Sequence, residues 1–301
     1  MKRRDFIAGT SAIAVAGLPS HTVAQVELGT AKLETVSDGN LVLPADFIFA
    51  SMPQDDLSPI RAKFGLERDR LEPDCNLALY RDEEHTVLFD VGSGPDFMPS
   101  AGKLVESLEA LELSPEDVTH VVFTHAHPDH IWGLLDDFDE PLFYQATYMM
   151  GRAEWDYWWN PATVENIGEA RAAFAVGAKR RMEVIEDSVI LFDDGDEVLP
   201  GISAIATYGH TPGHMAFEVR QGSSAALIVG DAVGNHHVAF EKPEWESGSD
   251  QDPTSAVTVR KMLLDRLTAE QMPVIGFHLP NGGIGRVERK NDAFQFVPED
   301  S

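Results

Sequence analysis

Cysteine and positive charge are the scarcest features of this 301-residue sequence. Cys75 is the single cysteine, which excludes an intramolecular disulfide framework and a cysteine-rich zinc site. The 23 basic residues are outnumbered by 50 acidic ones, giving a net charge of −27, which argues against a nucleic-acid or anionic-membrane partner. Because cysteine is so scarce, any bound metal must be held by nitrogen and oxygen ligands.

Long hydrophobic runs are also missing after residue 24, so we expect no permanent membrane anchor. The first 24 residues combine Lys2, Arg3 and Arg4 with an apolar run over 6–18 and small residues around Ala24, an order that predicts a signal peptide. The adjacent arginines resemble a twin-arginine signal, which implies the twin-arginine export machinery as a partner and a periplasmic or secreted location. An ordinary secretory signal and the basic start of a cytosolic helix are the alternatives.

The full chain is 43% hydrophobic, enough for a sizeable core. Residues 25–301 show no repeat or linker, which predicts a single catalytic domain. Helical spacing of apolar residues predicts helices at 101–112 and from Asp252 and Pro253 onward. Apolar segments bounded by charged or turn residues predict strands at 47–50, 76–80, 86–90, 120–123, 188–192, 202–208, 215–220, 225–229 and 274–277. Two strand-rich blocks, each followed by helices, indicate two packed sheets with helices outside.

An aromatic insert occupies residues 146–186. It has one aromatic side chain at position 148 and four within 155–159, and a helical stretch follows at 167–182. Such an insert is typical of core packing, of a subunit contact in a homodimer, or of a cover over a pocket. The sequence leaves these three interpretations open.

Three histidines within six positions form the strongest local signal, in the segment His125-Ala-His127-Pro-Asp129-His130. Because side chains alternate along an extended chain, His125 and His127 project to the same side after the strand at 120–123. A helix starting at Pro128 would place Asp129 and His130 at its beginning, directed at a neighbouring position. One segment can therefore ligate two metals, and its ligand types suit zinc, iron, manganese or cobalt.

Further candidate ligands follow other predicted strands. They are His214 at the end of the turn Gly209-His-Thr-Pro-Gly-His214, Asp231 after the strand at 225–229, and His278 after the strand at 274–277. The ordered set, together with the segment Leu88-Phe-Asp-Val-Gly92, resembles the metallo-β-lactamase superfamily over about residues 76–280. The Gly-rich segment that follows His278 is similar to that of the branch containing methyl parathion hydrolase and related lactonases.

This resemblance implies an α/β fold, the four-layer αββα sandwich, with a binuclear centre at one sheet edge. His125, His127 and His214 would hold one metal, Asp129, His130 and His278 the other, and Asp231 would bridge them. His210 and His120 would orient neighbouring groups, as the outer partners of metal-binding imidazoles do.

The function that the resemblance implies is hydrolysis of an ester-like bond in a small-molecule substrate, a lactone, ester or phosphotriester, by a binuclear-metal-dependent enzyme. Two divalent ions, zinc first among them, lower the pKa of a shared water from 15.7 to about 7, so that hydroxide forms at working pH. Asp129 would accept or relay the proton. The alternatives are a single-iron oxidoreductase similar to persulfide dioxygenases and a non-catalytic metal-binding protein.

Overall fold

The structure, a computed structural model, describes residues 25–299. The predicted signal peptide, 1–24, lies outside these residues, so export and location stay predictions. Among the described residues no helix has the length and apolarity needed to cross a membrane.

The described chain alternates strands and helices in an order that builds two large sheets. Its strands are β1 Gln25–Leu28, β2 Ala31–Asn40, β3 Leu43–Pro44, β4 Arg70–Leu71, β5 Asp74–Arg81, β6 Thr86–Phe89, β7 His120–Phe123, β8 Thr147–Gly151, β9 Ile190–Phe192, β10 Glu197–Leu199, β11 Ile202–Ala206, β12 Met215–Gln221, β13 Ser224–Gly230, β14 Val274–Gly276, β15 Ile284–Lys290 and β16 Ala293–Pro298. Its α-helices are α1 Ala45–Phe49, α2 Gln54–Phe64, α3 Leu104–Glu109, α4 Pro128–Ile131, α5 Arg152–Trp159, α6 Thr163–Asn166, α7 Ala172–Ile185, α8 Val238–Glu241 and α9 Pro253–Glu270. Short 3₁₀ helices occupy Pro115–Asp117, Trp132–Leu134, Glu169–Arg171 and Asp231–Val233.

The first sheet has the order β1-β2-β5-β6-β7-β8-β9 and the second the order β10-β11-β12-β13-β14-β15-β16. The strands from β6 to β9 pair in parallel, as do β13 and β14, whereas the other pairs in the two sheets are antiparallel. The carboxyl ends of parallel neighbours lie at the same sheet edge.

Alternation along the strands divides the core into layers. In β7, Val122 packs between the two sheets with Phe217 and Ile228, while Val121 and Phe123 face the helices outside the first sheet. Separate apolar cores lie outside the first sheet, between the two sheets and outside the second sheet, because successive side chains of a strand point to opposite sides. Helices α3, α5 and α7 contribute to the outer core of the first sheet, and α9 to that of the second. This is the αββα sandwich, and the predicted fold class is confirmed.

The structure corrects the predicted strand at 47–50, which lies mainly in helix α1. Ala45 and Phe49 are one helical turn apart and both are buried, so a single face of this short helix packs inward. The aromatic insert contributes mostly to the core: Trp155 and Trp158 are buried in the outer core of the first sheet.

Candidate metal centre

The candidate site lies where strands from both sheets end. Strand β7 ends at Phe123, just before the histidine segment, and β13 ends at Gly230, just before Asp231. Gly230 pairs with Gly276, the last residue of β14, so Asp231 and His278 leave the second sheet side by side. The topology therefore brings the segments that follow β7, β13 and β14 to one edge. Ligand sites in open α/β sheets commonly lie at the carboxyl ends of strands in this way.

The histidine segment adopts the predicted conformation. His127 is extended, with φ −68° and ψ 160°, and α4 begins at Pro128, whose fixed φ suits the first helical position. His125 Nε2 lies 3.0 Å from His127 Nδ1, so both rings reach one point. Asp129 and His130 follow in the first turn of α4 and face a second point.

A third imidazole completes the first group, and it belongs to His210. Its Nε2 lies 2.9 Å from His127 Nδ1, and one nitrogen from each of His125, His127 and His210 lies within 4.8 Å of the others. Asp129, His130, Asp231 and His278 form the second group by the same criterion. The Asp231 carboxylate lies 3.3 Å from His210 Nε2 and 3.5 Å from His130 Nε2, between the two groups, where the sequence prediction placed a bridge.

His214 does not fit the metal-binding role predicted from the sequence. Its Nδ1 is 2.7 Å from the hydroxyl of Thr207, and its Nε2 accepts the Asp231 backbone N–H at 3.0 Å. A neutral imidazole has one donor and one acceptor nitrogen, so both are used and no lone pair remains for a metal. We therefore assign the third position of the first group to His210, and His214 orients the backbone of Asp231.

Each of the five histidines in the two ligand groups has one ring nitrogen held by an outer partner and the other directed at the site. The fixed nitrogens contact Thr124 Oγ1 (His125 Nδ1), Gln251 Nε2 (His127 Nε2), Asp90 Oδ2 (His130 Nδ1), Asp250 Oδ1 (His210 Nδ1) and the Asp74 carbonyl (His278 Nδ1) at 2.7–3.3 Å. Outer partners of this kind set the tautomer and ring orientation of metal-binding histidines.

The two groups differ in their electrostatics. Burial, reinforced by neighbouring imidazoles, lowers the pKa of His125 and His127 well below the ordinary value. Burial also opposes charge on His130 and His278, but Asp129 and Asp231 outweigh it and raise the pKa of both imidazoles well above the ordinary value. In the metal-free chain the neutral form is therefore favoured at His125 and His127, whereas the imidazolium form, paired with Asp129 and Asp231, is favoured at His130 and His278.

Glu154, in α5, joins the loops that carry the first group. Its buried carboxylate accepts hydrogen bonds from the Ala126 and Gly213 backbone N–H groups, the Thr211 hydroxyl and the Trp158 indole. Gly213 is required for this approach, since a Cβ there would lie 2.0 Å from the Glu154 backbone nitrogen. The Glu154 carboxylate thus links the loop of His125 and His127 to the loop of His210.

The residues fit a pair of divalent cations. His130 Nε2 and Asp231 Oδ1 are buried without any hydrogen-bond partner, a costly condition that a cation between them would relieve. Imidazole and carboxylate ligands suit zinc and similar divalent metals. His125, His127 and His210 would hold one ion and Asp129, His130 and His278 the other, with Asp231 between them.

A cavity of about 490 Å³ opens onto both groups, since His127 and His210 line it together with members of the second group. Asp129, Asp231 and His278 form its floor, and its walls are mainly apolar, from Leu41, Phe47, Ile48, Phe97, Met98, Phe174 and their neighbours. From the aromatic insert, the segment 170–174 reaches this wall. A volume in this range suits a small-molecule ligand.

Comparison with known proteins is consistent with this geometry. A family model described as the metallo-beta-lactamase superfamily matches residues 72–278, about two thirds of the chain. The chain belongs to this superfamily. The membership and fold predicted from the histidine segment are therefore confirmed, and the match supports the prediction of a metal-dependent hydrolase.

Curated relatives of this superfamily member include the N-acyl homoserine lactonase AttM of Agrobacterium fabrum, 30% identical over 145 residues, which are 47% of this chain and 49% of AttM. The N-acyl homoserine lactonase of a Bacillus species is 20% identical over 186 residues, 60% of this chain and 63% of that protein. The chain thus spans about half the length of AttM.

Two solved structures show the same fold over nearly the whole chain. The hydrolase AbOPH superposes with a TM-score of 0.85 at 24% identity, covering 93% of this chain and 98% of AbOPH. The dizinc quorum-quenching lactonase AidC, solved in complex with a product, gives a TM-score of 0.86 at 23% identity over 93% of this chain and 98% of AidC.

Sequence reasoning located six of the seven positions that meet at the site, and it named His210 only as an orienting residue. It gave no role to Glu154, Asp250 or Gln251, because isolated polar residues far from the motif carry no local signal. Asp90 lies in the segment 88–92 that carries the family resemblance, and its position directly after β6 could have identified it as a partner of the next loop.

Proposed function

We propose that this protein is a binuclear-metal hydrolase that cleaves an ester-like bond, and that its substrate is a lactone with an apolar substituent. The observation that carries the proposal is the pair of ligand groups sharing Asp231, in which five histidines each direct one free nitrogen inward. Zinc is the metal we propose, since imidazole and carboxylate donors suit it and AidC is described as dizinc.

When bound, the two ions would lower the pKa of a water molecule and polarise the substrate carbonyl. The chain itself must move one proton from the attacking water to the departing alkoxide. Asp129 lies on the cavity floor, with Oδ2 3.2 Å from His278 Nε2, and its carboxylate is positioned to carry that proton. Its second role, as a ligand of the second group, keeps it close to the reacting atoms.

The substrate class follows from the cavity walls. Phe97, Met98 and Phe174 offer an apolar surface beside the ligand groups, so an alkyl or acyl substituent gains free energy by leaving water there. Relatives named N-acyl homoserine lactonase support a lactone carrying an acyl chain. A nucleic acid is disfavoured by the net charge of −27.

The test combines elemental analysis of the purified protein with a substrate panel of acyl homoserine lactones of graded chain length, an aryl ester and a phosphotriester. We expect two zinc ions per chain and the highest kcat/KM on a long-chain lactone. Asp231→Ala should lose metal and activity together, whereas the exposed Asp265→Ala should keep both. One iron per chain with no hydrolysis would instead favour the single-iron oxidoreductase, and metal-loaded protein inactive on the whole panel would overturn the hydrolase proposal.

A further inference from the structure

The loop before α9 contributes no ligand to the candidate site, yet it contacts two of the histidines in the first group. Its backbone is tied to the loop that carries His210: the Gln251 N–H bonds the Gly209 and His210 carbonyls at 3.1 Å, and the Asp252 N–H bonds the Gly209 carbonyl at 2.8 Å. The loop of Gly209 also packs closely against the first turn of α9, because a Cβ on Gly209 would lie 2.3 Å from the Ala256 backbone nitrogen. These backbone hydrogen bonds hold the two loops together.

Asp250 fixes the ring of His210. Its Oδ1 lies 3.1 Å from His210 Nδ1, which places the Nδ1 proton on the carboxylate side and leaves Nε2 free toward the site. Behind Asp250, the buried guanidinium of Arg260 lies 3.5 Å from Oδ2. Arg260 is itself held by the Pro243 and Trp245 carbonyls, so Asp250 has little freedom to turn away.

Gln251 faces the outer nitrogen of His127, as Asp250 faces that of His210. Its amide nitrogen lies 3.3 Å from His127 Nε2, and its amide oxygen accepts a hydrogen bond from the Tyr157 hydroxyl at 2.7 Å. A metal on His127 Nδ1 requires the proton on Nε2, so the group facing that nitrogen must accept a hydrogen bond. A half-turn of the amide would present its oxygen to His127 and its N–H₂ group to the Tyr157 oxygen, and it would keep both contacts.

We propose that Asp250 and Gln251 are positioning residues that set the metal affinity of the first group, His125, His127 and His210, without touching the metal or the second group. The inference rests on the proposed binuclear centre. Two consecutive residues thereby orient two ligands of the same ion, one from each ligand loop. Arg260 and Tyr157 hold these two residues in place from the opposite side.

The test measures zinc per chain by elemental analysis after dialysis against buffers of graded free zinc, for the full-length protein and its variants. Asp250→Ala and Gln251→Leu should each weaken one of the two ions by about 10- to 100-fold and leave the other unchanged, which is the usual effect of removing an outer partner. His210→Ala and His278→Ala, each lacking a ligand of one group, assign the two binding steps.

Gln251→Glu separates a positioning role from a merely structural one. A glutamate accepts from both His127 Nε2 and the Tyr157 hydroxyl, so the affinity should match or exceed that of the parent chain. If Gln251 acted as a donor to His127, Gln251→Glu would be as damaging as Gln251→Leu, and that result would overturn its assigned role.

Asp252→Asn is the matched control, because Asp252 lies in the same loop but its carboxylate contacts Ser255 and none of the histidines. It should bind both ions normally. Wild-type affinity for both ions in Asp250→Ala and Gln251→Leu would overturn the inference alone, as would an equal weakening of both ions. A parent chain that binds no divalent metal would overturn the proposed function as well.

Discussion

Replacing Glu154 by glutamine tests whether one buried carboxylate holds the two ligand loops at their spacing. The substitution keeps the shape of the side chain and changes one acceptor oxygen to an N–H₂ group. Thr211 can reverse its hydroxyl and accept from that group, but the Gly213 N–H, which shares the same carboxylate oxygen, cannot. The glutamine therefore leaves one buried N–H without a partner.

The expected cost is the free energy of one unsatisfied buried donor, about 1–3 kcal/mol of unfolding free energy. Relief of the buried charge offsets part of it, because burial raises the pKa of Glu154 and so shows that its ionised form is held at a cost. Glu154→Ala should cost more, about 3–5 kcal/mol, since it leaves four donors unpaired and opens a cavity in the core.

Urea unfolding of the metal-free protein measures the change, and zinc titration measures its effect on the first group. Asp156→Asn is the control, because Asp156 is exposed on the same helix. We expect Glu154→Gln to lower both the unfolding free energy and the zinc affinity, and Asp156→Asn to change neither by more than about 0.5 kcal/mol. A Glu154→Gln variant as stable as the parent, with unchanged zinc affinity, would refute the reasoning.

Three further predictions concern the ligands and the cavity. His210→Ala should retain about one zinc per chain, whereas His214→Ala should still bind two, although less stable; elemental analysis showing the reverse would restore the assignment of His214. Zinc uptake at neutral pH should release protons from His130 and His278, whose pKa values are raised, so affinity should fall as the pH falls; calorimetry in buffers of different ionisation enthalpy checks this, and no proton release would contradict it. Phe174→Trp should reduce kcat/KM for long-chain lactones more than for short-chain ones, and an equal reduction across chain lengths would show that Phe174 does not contact the substituent.

Local signals in the sequence were sufficient for the central part of the site. The apolar strand His120–Phe123, the alternation of His125 and His127 and the proline at position 128 each act within a few residues, and the structure places all of them as predicted. Helix α9 was predictable for the same reason, since Leu263 and Leu267 repeat at helical spacing and both are fully buried.

Two features depend on tertiary contacts and could not be predicted from the sequence: the choice of His210 over His214, and strand β2. His210 and His214 share one short turn, and the choice between them depends on Thr207 and on the Asp231 backbone, which use both nitrogens of His214. Strand β2 was hidden in a stretch that looks polar, because its buried Glu34 is paired with Lys32 in the same strand and with Arg81, which comes from the distant strand β5.

The edge where β7 and β13 end side by side has a consequence for the order of folding. Neither sheet alone carries a complete ligand set, because His125 and His127 follow β7 in the first sheet while His210 and Asp231 lie on loops of the second. Tight metal binding must therefore wait until the two sheets have docked, and an ion at 100 times its dissociation constant would then stabilise the docked form by about 2.7 kcal/mol. A bound metal would therefore stabilise only a chain whose two sheets have docked correctly, and a chain whose sheets have docked incorrectly should fail to retain divalent metal.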